Sequence, residues 1–160
     1  MYRFNLIIPV TEYSSTEELD GQYKDLVKSA YEACSTSYAP YSKYCAGAAV
    51  LLENGEIIKG SNQENAAYPS GLCAERVAVF YANSLYPEVP VVAIAIAASV
   101  AGVPVKEPVY PCGSCRQSLL QSEQRFQKNI RVLMIGSEKI RMVESIKDLL
   151  PLAYELIIDN

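Results

Sequence analysis

Polar and apolar positions along the chain switch repeatedly between a helical and a strand period. Residues 2–10 are largely apolar and predict a short edge strand. Ser15-Thr16-Glu17-Glu18 is a capping-box pattern, in which a hydroxyl and a carboxylate satisfy free amides at a helix start. Leu19, Tyr23, Leu26, Val27, Ala30 and Cys34 follow at helical spacing, with Asp20, Lys24, Asp25 and Lys28 off the stripe. This helix stops before Pro40, because a proline ring disfavours helical geometry at the residue before it. An apolar run over 48–52, then Glu53-Asn54-Gly55-Glu56, then Ile57 and Ile58 predicts a tight hairpin, since Asn-Gly tolerates positive φ at both central positions. A polar loop covers 61–71. From Cys73, the spacing of Ala74, Val77, Ala78 and Tyr81 predicts a second helix.

The second half continues the alternation. Residues 91–98 are continuously apolar, as expected of a strand covered on both faces. Residues 111–125 read as a loop entering a third helix, 130–135 and 139–143 as strands, and 146–150 as a short final helix. Strands alternating with helices predict an α/β fold. The expected architecture is a three-layer α/β/α sandwich around a mixed, mostly parallel, five-stranded central sheet, in a single domain spanning 1–160.

Composition narrows the function. The chain has 160 residues, half of them apolar, and a net charge of -4. That balance supplies no basic stripe for phosphate neutralisation, so polymeric nucleic acid is not an expected partner. The longest uncharged stretch, 89–105, is interrupted by Pro90, Gly102 and Pro104 and is too short for a membrane helix. The N-terminal apolar run lacks the length and cleavage site of a secretory signal. Five cysteines and no histidine, with no such signal, fit a reducing, cytoplasmic compartment, where thiols serve metals or catalysis more often than disulfides.

Three of those cysteines carry the chemistry. Cys112-Gly113-Ser114-Cys115 opens a predicted helix, so its two sulfurs share one face. Cys73 opens another, and helix N-termini favour thiolate over thiol. Catalytic zinc keeps three protein ligands and a position for water, whereas structural zinc is closed by four. Only Cys34 and Cys45 could close a Cys₄ set. Both read better as small buried hydrophobes, so the open site is favoured. Glu75, two residues after Cys73, suits proton transfer to and from a metal-activated water. Arg76 could donate to the sulfurs and offset their charge. The C-x-x-C before a helix also suits a thiol redox protein, which would leave Cys73 and Glu75 without a role.

Cys73-Ala74-Glu75 followed by Pro111-Cys112-Gly113-Ser114-Cys115 matches the zinc deaminase signature. With Tyr38-Ala39-Pro40-Tyr41-Ser42-Lys43-Tyr44, Asn62-Gln63-Glu64-Asn65-Ala66-Ala67-Tyr68 and Leu149-Leu150-Pro151-Leu152-Ala153-Tyr154, the chain resembles the small, homotetrameric cytidine deaminases. The resemblance implies hydrolysis of cytidine and deoxycytidine to uridine and deoxyuridine, with release of ammonia, in pyrimidine nucleoside salvage. It implies one Zn²⁺ per subunit on Cys73, Cys112 and Cys115, with Glu75 catalytic and Arg76 beside the metal ligands. It implies substrate contacts from Tyr44 to the base, Asn62 and Glu64 to the ribose, and Ala74. Tyr68 and Tyr154 would complete a neighbouring subunit's pocket in a tetramer. Deaminases of blasticidin-type nucleosides share the zinc motifs and are the alternative. The chain departs from the family pattern with Tyr for Phe at 44 and 154, Tyr110 where Ser is usual, and a longer loop over 99–109.

Overall fold

Among residues 1–155, which the computed structural model describes, the strand-period runs give β1 (Thr11–Tyr13), β2 (Tyr44–Leu52), β3 (Ile57–Ser61), β4 (Val91–Val100), β5 (Val103–Pro104), β6 (Arg131–Ile135) and β7 (Ile140–Val143). The helical runs give α1 (Gly21–Ala33), α2 (Ala74–Leu85) and α3 (Gly113–Phe126). All seven strands join one sheet in the order β1-β7-β6-β4-β2-β3, with β5 paired to β4.

The α/β class and the three layers stand, but the sheet is neither five-stranded nor mostly parallel. Its one parallel pairing among the described residues is β4 with β6, from Ala93 opposite Arg131 to Ile96 opposite Met134. The pairings β1–β7, β2–β3, β2–β4, β4–β5 and β6–β7 are antiparallel. Connection length accounts for the parallel pairing and for the three hairpins. Parallel neighbours need a crossover of a dozen residues or more, and α3 supplies one between β4 and β6. The β2–β3, β4–β5 and β6–β7 links are short enough only for hairpins.

Both faces of the sheet are covered. Leu26, Val27 and Ala30 of α1 pack on Ala49, Leu51, Ala93, Ala95 and Leu133. On the other face, Ala78, Val79 and Ala82 of α2 and Leu119 and Leu120 of α3 pack on Val50, Ile94, Ile96, Val132 and Met134. Strand β4 thus sends small alanines toward α1 and large isoleucines toward α2 and α3, which explains its unbroken apolar sequence. Gly60 sets how closely α2 lies on the sheet. A Cβ there would stand 2.7 Å from the Ala74 carbonyl oxygen, a backbone atom that cannot yield.

Several local expectations are corrected. Residues 2–10 form no strand and most are exposed; Pro9 lacks an amide donor for a ladder, and pairing begins at Thr11. The capping motif caps only a 3₁₀ turn over Thr16–Glu18, where Ser15 Oγ accepts from Glu17 N at 3.3 Å. Helix α1 starts later, at Gly21, behind Asp20. In the hairpin only Gly55 takes a positive φ, 88°, and its N–H closes the turn onto the Leu52 carbonyl at 2.9 Å. Tyr81 is exposed, and the buried stripe of α2 runs instead through Ala74, Ala78, Val79 and Ala82. The predicted final helix is a 3₁₀ turn over Ile146–Leu149.

Candidate active site

Helices α2 and α3 lie on the same face of the sheet, and each is preceded by a cysteine at its N-cap: Cys73 for α2 and Cys112 for α3. Cys115 follows one turn into α3 and is buried. Cys73 Sγ lies 3.8 Å from Cys112 Sγ, and Cys112 Sγ lies 3.5 Å from Cys115 Sγ. All three sulfurs fall within 4.8 Å of one another, and no fourth Cys, Asp or Glu among the described residues joins them. Cys34 and Cys45 are excluded by placement. Cys34 Sγ points to the carbonyls of Ala30 and Ala97, at 3.7 and 3.8 Å, within the α1 layer, and Cys45 packs against that same layer. Three soft donors at this spacing suit a tetrahedral zinc ion with one position left to solvent.

The electrostatics suit a cation. Cys73 is lowered to about 5 by its hydrogen bond with Cys115, aided by Arg76 and Cys112. Cys115 is pushed up, first by that same bond and then by burial. Arg76 Nη2 reaches Cys73 Sγ at 3.9 Å and the Gly71 carbonyl at 3.4 Å. Burial alone would lower the Arg76 guanidinium, but its bonds to Cys73 and Cys115 outweigh that and raise it. Glu75 is 5% exposed, and burial holds its carboxyl above the usual range, with the Cys73 charge adding to the effect.

A cleft of about 800 Å³ opens over these groups. Its lining includes Cys73, Cys112, Glu75, Arg76, Tyr44, Asn62, Glu64, Tyr68 and Tyr110. The sequence expectations therefore converge on one surface from β2, the loop after β3, and the starts of α2 and α3. Three others are not part of its lining: Cys115 is fully buried within the sulfur cluster. Ala74 is also fully buried, and Tyr154 is 72% exposed.

Asn62 and Glu64 also shape the loops that carry them. Asn62 Oδ1 accepts from Ala46 N and its Nδ2 donates to the Tyr44 carbonyl, both at 2.9 Å, so it splints the start of β2. Glu64 accepts from the amide of Tyr41 at 2.9 Å and from the Ser42 hydroxyl. These bonds, the Ser42 hydroxyl first, hold the Glu64 carboxyl below its ordinary value.

Two structural residues were missed from sequence. Arg116 donates to the carbonyls of Pro111, at 2.9 Å, and Leu149, at 2.6 Å, tying the C-x-x-C loop to the 3₁₀ turn. Glu123, 3% exposed, accepts from Ile130 N at 2.8 Å, Ile146 N at 3.1 Å and Ser145 Oγ at 2.6 Å. A charged residue within a helix gives no sequence signal of such a role.

Residues 20–130 match the family described as the cytidine and deoxycytidylate deaminase zinc-binding region, and the three clustered cysteines fall within that span. The chain belongs to that family. It is 32% identical over 140 residues to the cytidine deaminase of Mycobacterium tuberculosis, covering 86% of this chain and 92% of that one. It is 45% identical over 96 residues to the cytidine deaminase of Halalkalibacterium halodurans, covering 60% of this chain and 68% of that protein. The crystal structure of cytidine deaminase from Burkholderia pseudomallei superposes with a TM-score of 0.70 at 33% identity, over 81% of this chain and 97% of the other. The three-cysteine cluster of this deaminase-family chain is its zinc-binding region. Among the described residues, no helix is long and apolar enough to cross a membrane.

Proposed function

We propose that this chain is a single-domain, zinc-dependent hydrolase that deaminates free cytidine and deoxycytidine to uridine and deoxyuridine, releasing ammonia. The observation that carries the reading is a three-sulfur cluster, two of whose cysteines line one cleft together with a buried carboxylate, in a chain of the cytidine deaminase family. Cys73, Cys112 and Cys115 hold the ion. Zinc, when held there, supplies a Lewis acid that acidifies a water. Glu75 would carry one proton of that water to N3 of the cytosine ring as the oxygen bonds to C4, then carry the oxygen's remaining proton to the amino nitrogen, whose bond to C4 breaks to release ammonia. Arg76 donates toward the sulfurs and offsets the net negative charge that three thiolates impose on a divalent ion. Tyr44 faces the base, and Asn62 and Glu64 offer an amide and a carboxylate to the sugar hydroxyls.

The same family supports a tetramer in which Tyr68 and Tyr154 complete neighbouring pockets, and a cytoplasmic role in nucleoside salvage. Exposed Tyr68, Phe80, Tyr81 and Leu85 supply apolar surface for such contacts. Sedimentation should give four times the chain mass, and a monomer at micromolar concentration would remove the shared-pocket reading.

The direct test is an ultraviolet assay on cytidine, deoxycytidine, cytosine and blasticidin S, with metal analysis. Turnover of the first two with one zinc per chain, lost after chelation and restored by zinc, is the expected result. A metal-free protein with a reducible Cys112–Cys115 disulfide would overturn it.

A further inference from the structure

The cleft wall beside the metal cluster is held from outside the family region. Glu12 and Arg141 face each other directly across the β1–β7 ladder. Both lie beyond the 20–130 span. Arg141 Nε donates to Glu12 Oε2 at 2.8 Å, and Arg141 Nη1 donates to the Tyr110 hydroxyl. Tyr110 lines the cleft two residues before Cys112. The guanidinium thus uses two nitrogens of its planar fork, one on each partner, and fixes a direction as well as a distance. The Glu12 and Arg141 side chains are 51% and 35% exposed, so their pairing adds little to stability. Its consequence is orientational: the tyrosine hydroxyl is drawn toward the sheet edge while the residue remains part of the cleft wall.

We propose that Tyr110 is a specificity-determining residue of this cleft, held by the Glu12–Arg141 pair as a wall against substituents on the leaving nitrogen of the base. The inference rests on the deaminase reading. The reacting carbon must lie at the metal cluster, so a group on its amino nitrogen projects into the wall nearest the sulfurs. Tyr110 and Val109 both line the cleft, and their place immediately before Pro111-Cys112 in the chain sets them beside a metal-ligand cysteine. Arg141 and Glu12 are positioning residues that act through the tyrosine.

The test compares kcat/KM for cytidine with that for N4-methylcytidine, which water would hydrolyse to uridine and methylamine. The full-length zinc-loaded protein and its Tyr110→Ala, Tyr110→Phe, Arg141→Ala and Glu12→Gln variants are measured with both substrates. The ratio of the two values is the readout, because a merely destabilised variant loses active enzyme equally for both and leaves the ratio unmoved. Tyr110→Ala should shift the ratio toward N4-methylcytidine by about tenfold or more, the scale of one methyl group in a fitted pocket. Arg141→Ala, Tyr110→Phe and Glu12→Gln should shift it the same way by a smaller factor, with one zinc per chain retained. A ratio within about twofold of the parent in Tyr110→Ala or Arg141→Ala overturns the proposal; should Tyr110→Ala not fold, Arg141→Ala and Tyr110→Phe decide it. A parent protein inactive on cytidine overturns the deaminase reading itself, and this inference with it.

Discussion

Glu75 and Glu123 are both carboxylates on helices, both nearly inaccessible, and they do opposite work. Glu123 spends its oxygens on three donors of the protein itself, the amides of Ile130 and Ile146 and the Ser145 hydroxyl. Substituting Gln would set an amide N–H₂ against those donors and should lower unfolding stability by about 3 kcal/mol, measured as the urea midpoint. Glu75 faces the cleft with its carboxyl held above the usual range by burial, the setting expected of a proton-transfer group. Glu75→Gln should lower kcat by about 10³-fold or more while zinc content stays at one per chain. Activity close to the parent would remove the proton shuttle from the mechanism. Seen in the sequence, Glu75 is marked by Cys73 two positions upstream, whereas nothing marks Glu123.

At the scale of elements, the site depends on how two helix starts meet over one face of the sheet. Strand β3 lets α2 approach because Gly60 has no side chain. Gly60→Ala would drive a methyl into the backbone of Ala74 and Ala78, displacing the turn that carries Cys73 and Glu75. Overpacking of this kind costs about 2 kcal/mol, and activity and zinc retention should fall together with stability. A stable variant with full activity would show that α2 tolerates a shift. On the α3 side, Arg116 performs the matching task by joining the Pro111 and Leu149 carbonyls. The starts of both helices were visible as motifs; the seating roles of the glycine and the arginine were not, because the helix backbone that Gly60 meets and the Leu149 carbonyl that Arg116 reaches are brought near only by folding.

Across the whole molecule, the sheet separates a structural face from a chemical one. The α1 layer contains Cys34 and Tyr31, whose ionisation is pushed above the ordinary values of 9.0 and 10.0, in both cases first by burial. Well below pH 9 the Cys34 thiol is protonated folded and unfolded, so it adds no pH dependence there. As pH approaches and passes that value the unfolded chain loses its proton first and binds fewer protons than the folded one, so stability falls as pH rises. The urea midpoint should therefore drop between pH 8 and pH 10, and Cys34→Ala should shallow that slope. A midpoint flat across this range would show that the thiol is not shielded.

The sequence by itself determined the α/β class, the three helices and most strands, because hydrophobic periodicity records which faces are buried. It also determined the chemistry, because Cys73, Cys112 and Cys115 with Glu75 form a donor set whose spacing has few other uses. What only the tertiary structure decided is how strands pair and what supports the cleft. Pairing direction depends on connection length and on which neighbours meet, so a sheet expected to be mostly parallel proved largely antiparallel. The pair of Glu12 and Arg141 behind Tyr110 joins residues more than a hundred positions apart, a contact that no local pattern encodes.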